Sequence, residues 1–276
     1  MIAESTTQPP SDPETLEKAL ETLRLYCGVV LVSFAKYGQG LRETIARNFV
    51  ARGMTCTQGI FSMWKGGSDQ DAWILHRALL ERLLLLHHLS ETDTYLGFEE
   101  YSFVAMYKAR QQLLSDPDMK DKLPSTLKEL QKANATRYEK IVAQQSHWQR
   151  PRPEDVARKM GLGFLYRFGY DYASTHVHPM AEDGDTDFIR LTSSHCTSNP
   201  LDETVILNSI LVQTLLVQEA LNVSRMRRRA IVYDFLEEVR MFLKTGNPEF
   251  HATFYKIAST WPDFQLCQPR ACGDGA

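Results

Sequence analysis

Apolar residues recur at three- and four-residue spacings along almost the whole chain, and alternating runs flanked by two-residue turns are missing. The pattern predicts an all-α fold, a bundle of about eight helices. A first helix is expected from Pro13, with Asp12 as N-cap and Glu14 in its first turn, to about Tyr37 or Gly38, because proline and acids suit the positive end of a helix. A second should run from Leu41 toward Trp64 and stop at Lys65-Gly66-Gly67. Ser68 then caps a third, from Asp69 to about Leu89. Its leucines at 79, 80, 83, 84, 85, 86 and 89 point in nearly every direction around the axis, so this helix is expected at the centre of the bundle.

Thr92 or Asp93 is placed to cap a fourth helix to about Ser115, and Pro124-Ser125 to open a polar fifth to about Ser146. Pro151 and Pro153 force an extended stretch. A short helix over Glu154 to Met160 follows, then a longer aromatic one from Leu162 to about Val177 carrying Phe164, Tyr166, Phe168, Tyr170 and Tyr172. His178 precedes a proline and should be extended. Met180 to Asn199 reads as a long polar loop. Asp202 caps a helix to about Arg229 that bends or continues into Ile231 to Lys244, and a last helix spans Glu249 to about Ser259. The expected organisation is a disordered lead over residues 1–12, one helical domain over 13–260 and a fraying tail over 261–276.

Composition narrows the function. With 276 residues, 43% of them hydrophobic and 24% charged, the chain has the make-up of a globular protein. A formal charge of −3 creates no global field for nucleic acid or anionic lipid. Five cysteines without a C-x-x-C pair form no disulfide framework and fit a reducing cytoplasm. The most apolar stretch, Val205 to Val223, is interrupted by Asn208, Gln213, Gln218 and Glu219, so no membrane span is expected. Homo-oligomerisation stays open.

Arg77 and Glu81 lie four apart, with Leu84 and His88 continuing their stripe. On a helix surrounded by others, such ions need each other or a polar cavity, so they are either a structural pair or a functional pocket. In the aromatic helix Tyr170, Ser174 and His178 repeat at four, flanked by Arg167 and Asp171. Polar groups on an apolar helix need partners inside the fold, and the two stripes are expected to face each other.

Arg77-x-Leu79-x-Glu81, followed some ninety residues on by Tyr170-x-x-x-Ser174-x-x-Val177-His178-Pro179, resembles the family called domain of unknown function 5677, over roughly Leu41 to Ala230. The resemblance implies a mostly bacterial or phage helical protein and no established reaction. As an active site, Glu81 or His178 would transfer the proton and Arg77 hold a phosphate or carboxylate, with Tyr170 and Ser174 orienting the imidazole, as in a hydrolase or nuclease. As a non-catalytic interaction or regulatory protein, the same groups would form a structural network. Helical ribonucleases place an arginine four to six residues before a histidine. Arg167 lies too far from His176 for that, and Asp171 has the spacing but the wrong charge.

A divalent metal is a further candidate, with His176, His178, Asp183 and Asp185 as ligands beside Glu182 and Asp187, against a plain solvated acidic loop. The Asp183-x-Asp185-x-Asp187 run departs from a calcium loop, since Phe188 stands where glycine is needed and Ser194 where glutamate belongs. Arg225, Arg227, Arg228 and Arg229 are the one concentrated basic patch, which could meet nucleic acid but is favoured as a helix-end or exposed feature. His87 and His88 read as packed or rim residues. No P-loop, dinucleotide, nucleophile-elbow or H-E-x-x-H pattern occurs.

Overall fold

The computed structural model describes residues 12–119, 122–144, 148–178, 184–192, 203–224, 229–246 and 250–259. Among these there are helices and no strand, so the all-α expectation holds. α1 (Pro13–Tyr37) starts as its sequence dictates: the Asp12 carboxylate accepts from the Thr15 N–H at 2.8 Å and proline occupies the first turn. α2 (Leu41–Lys65) ends where Gly67 takes φ +76°, which a side chain would strain. α3 (Asp69–Thr92) follows at once. The chain divides into two compact units, residues 1–88 with 152–276, and residues 89–151, the division falling within α3.

In the larger unit, α10 (Thr204–Val223) packs most closely on α2, and α1 lies along α2. Gly53 makes that approach possible: a Cβ there would come within 2.4 Å of Gln213 Oε1 and 2.6 Å of Leu216 Cδ2. Gln213 is fully buried and donates to the Val50 carbonyl at 3.2 Å, also reaching Cys27 Sγ at 3.5 Å. α10 is long and apolar enough to cross a bilayer, yet most of it is buried inside the protein, where its polar Ser209, Gln213 and Thr214 find protein acceptors. α11 (Arg229–Thr245) and α12 (Phe250–Ser259) add Phe235, Phe242, Phe250 and Phe254 to the core, and Tyr26 of α1 stacks on Phe235 with centroids 4.0 Å apart. Burial pushes the Cys27 thiol up to about 12, so it stays protonated and inert.

The smaller unit pairs α4 (Tyr95–Ser115) with α5 (Ser125–Ala143) through stacked Tyr107 and Tyr138, and Trp148 packs on Phe98 and Tyr101. The expected cap of α4 is corrected. Thr94, not Thr92 or Asp93, occupies the N-cap, without a side-chain capping bond, because its hydroxyl meets Thr92 and accepts from Trp148 Nε1. Asp93 instead makes the turn, at φ +51°.

The aromatic helix is also corrected. After α6 (Pro153–Lys159), it divides into α7 (Gly163–Tyr166), a π-helical turn (Arg167–Asp171) and α8 (Tyr172–Val177). Two stripes explain the turn. Leu165, Gly169 and Ala173 are buried and Phe164, Phe168 and Tyr172 exposed, all at a spacing of four. An α-helix of 3.6 residues per turn rotates such stripes steadily, and a wider π turn takes that rotation out. Within the expected loop Met180 to Asn199, residues 185–192 form the helix α9 (Asp185–Thr192), whose Phe188 and Ile189 supply an apolar side. Asp202, expected as the cap of α10, lies outside the described residues, as do the expected lead and tail except Asp12. α10 itself ends at Val223 rather than continuing to Arg229, its C-cap Ser224 being extended.

Candidate functional site

α3 turns its leucines at 79, 80, 83, 84, 86 and 89 fully or almost fully inward, leaving a strip of half-buried groups that includes Arg77, Glu81, Arg82 and His88. Arg77 and Glu81 are therefore not sealed among leucines: 23% and 25% of their side-chain surface is exposed, so water reaches both. The π turn lies against this part of α3 and brings Tyr170 to the pair. The Tyr170 hydroxyl donates to Glu81 Oε1 at 3.1 Å and accepts from Arg77 Nη2 at 3.3 Å, while Arg77 Nε lies 3.5 Å from the same Glu81 oxygen. The guanidinium also sits 4.5 Å from the centre of the Tyr170 ring, whose other neighbour is Tyr166, stacked at 5.1 Å.

Burial first, with Glu81 alongside and against the Arg77 donor, holds the Tyr170 phenol above its usual range, so it remains a proton donor. Tyr166 is pushed up to about 12, by burial and then by Asp171. The remaining two members stand apart. Ser174 spends its proton on the carbonyl of Tyr170, 2.6 Å away, a bond within its own helix. His178 ends α8 in an extended conformation, φ −107° and ψ 130°, as its following proline requires. It is exposed, and the bonds seen at Arg77 run to Tyr170 and Glu81.

Of the proposed metal ligands, His176 packs edge-on to Tyr172 at 4.8 Å, Asp185 opens α9, and Asp183 lies outside the described residues. Among the described residues no three His, Cys, Asp or Glu side chains gather as a cation site. Arg225, Arg227 and Arg228 lie outside the described residues, and Arg229 is the first residue of α11.

Two other histidines have sharper surroundings than His178: His76, and His87, which was expected as a packed or rim residue. His76 is fully buried, with Nδ1 3.0 Å from Ser209 Oγ. Ser209 gives its proton to the Val205 carbonyl at 2.6 Å, so the imidazole must donate from Nδ1 and keep a bare lone pair on Nε2. That nitrogen has no partner and faces Gly169 of the π turn, where a Cβ would come within 2.6 Å. Burial pulls the His76 pKa down to about 4, so the ring is neutral near pH 7. The signal was available: His76 falls in the inward stripe Ala72, His76, Leu79, Leu83.

His87, on α3, has Nδ1 3.3 Å from Glu219 Oε2 of α10. Five residues before it stands Arg82, so the arginine-to-histidine spacing absent at Arg167 is present here, on the leucine-rich helix rather than the aromatic one. Arg82 bonds back to the Ala78 carbonyl of its own helix.

The model of the Family of unknown function (DUF5677) matches residues 43–193, just over half of the chain. The chain belongs to this family. The match runs from the first turns of α2 to the end of α9 and so contains both halves of the Arg77, Glu81 and Tyr170 cluster. It stops short of α10 and Ala230, to which the sequence resemblance had extended. No curated protein and no solved structure matches the chain.

Proposed function

We propose that this family member is a non-catalytic interaction protein, in which Arg77, Glu81 and Tyr170 brace the aromatic segment against α3. One observation carries the reading: the three groups bond to one another. A single phenol bridges carboxylate and guanidinium, and its ring is covered by the same guanidinium. An anion holder in an active site keeps its forked donors turned toward the ligand, whereas Arg77 spends Nε and Nη2 within the cluster. The brace fixes the rotation of α7, the π turn and α8, and with it the outward direction of Phe164 and Phe168.

Thermal unfolding of Tyr170→Phe tests this. The substitution keeps the ring under Arg77 and removes two charge-assisted hydrogen bonds, which at a partly solvated site are together worth about 1–2 kcal/mol. For a chain of this size the melting temperature should fall by about 3–6 °C. An unchanged melting temperature would remove the brace.

A second reading has its own observation, the His87 and Glu219 pair. An imidazole 3.3 Å from a carboxylate is a pair of groups suited to general acid–base cleavage of a phosphodiester, with Arg82 as anion holder. It keeps the hydrolase or nuclease class and moves the chemistry from His178 to His87.

A further inference from the structure

The outer side of the aromatic segment leaves large apolar side chains in water. Phe164, Phe168 and Tyr172 are 62%, 54% and 48% exposed, and they follow one another as a straight ridge because the π turn keeps their spacing of four in line. Phe164 and Phe168 pack on each other along the ridge, with centroids 4.5 Å apart. Side chains this large, left adjacent and exposed, mark a surface that is covered in the working state. From this geometry, we propose that a second copy of this chain covers the ridge, the two segments packing antiparallel about a two-fold axis near Phe168. This names the partner of the interaction protein proposed above and rests on that reading.

Two features select a second copy. The first is charge. Arg167 and Asp171 are both exposed and flank the ridge on either side of its middle. An antiparallel pairing centred at Gly169 sets Arg167 of each chain beside Asp171 of its partner, giving two equivalent ion pairs, as an isologous interface requires. A parallel pairing would level Arg167 with Arg167 and Asp171 with Asp171 and give no such pair. The second is area. At roughly 200 Å² per aromatic side chain, the three rings leave about 330 Å² per chain in water, hence about 650 Å² in a pair. The stems of Arg167 and Asp171 and exposed Val177 bring the total to about 1,000 Å², the lower bound for a specific association. Such an area predicts a reversible dimer of micromolar strength.

Sedimentation equilibrium of the full chain between about 1 and about 50 µM brackets that strength. The wild type should pass from monomer to dimer in this range. Phe168→Glu, at an exposed position that contributes no core packing, should weaken dimerisation at least tenfold while the melting temperature of the monomer holds. Arg167→Asp should weaken it severalfold, and adding Asp171→Arg should restore it, because the swapped pair is again complementary. A wild type that stays monomeric at the top of the range overturns the inference, whether a different partner or α9 of the same chain covers the ridge. So does Phe168→Glu dimerising like the wild type, or a double variant no tighter than Arg167→Asp alone. None of these results touches the brace, which Tyr170→Phe melting decides separately.

Discussion

Lowering the pH toward 4 should cost this protein stability through its buried imidazoles, of which His76 is the most deeply placed. Its folded pKa is about 4, set by burial, against about 6.5 for an imidazole in an unfolded chain. Above pH 6.5 the ring is neutral in both states, and its full contribution to stability is present. As the pH falls below 6.5 the unfolded state takes up a proton that the folded state refuses, so stability drops at about 1.4 kcal/mol per pH unit until the folded ring also protonates near pH 4. The gap of about 2.5 units amounts to about 3 kcal/mol, a large share of the 5–15 kcal/mol typical of a domain. Protonation would also place a donor and a charge at Nε2, where the backbone of Gly169 stands and no acceptor is bonded. The assay is urea unfolding at pH 7, 6, 5 and 4 for the wild type and His76→Leu. The variant leaves Ser209 bonded to the Val205 carbonyl, so little else is disturbed. His251, likewise pulled down by burial, is present in both proteins, so the difference between the two curves isolates His76. The wild type should lose about 3 kcal/mol more than the variant across this range. Parallel curves would refute the tautomer and burial argument.

Gly53→Ala should destabilise the fold by about 1–3 kcal/mol despite better helix propensity, because the new methyl meets Gln213 and Leu216 and Gln213 is held in place by the Val50 carbonyl; circular dichroism melting checks it. For the phosphodiester reading, His87→Ala should abolish cleavage of single-stranded RNA while leaving the melting temperature within about 2 °C. No wild-type cleavage, or cleavage undiminished in the variant, would end that reading.

Periodicity alone located nearly every helix, because a 3.6-residue repeat of apolar positions has one solution, and the start of α1 and the end of α2 followed from capping chemistry that is local by nature. The meeting of Arg77 and Glu81 with Tyr170 across some ninety residues was also legible, since polar groups on apolar stripes must find partners. What could not be read was how those partners divide the bonds. Ser174 turned back to its own helix, His178 was carried outward by the proline behind it, and Arg77 remained wet because α3 is covered on only part of its circumference. The π turn is a tertiary decision of the same kind. Any turn of this sequence could close as an α-helix, and the wider register arises where Gly169 rests on the His76 nitrogen and two four-residue stripes must keep facing opposite ways. Local chemistry names the groups and their order; which of them remain in contact with water depends on the packing of helices far apart in the chain.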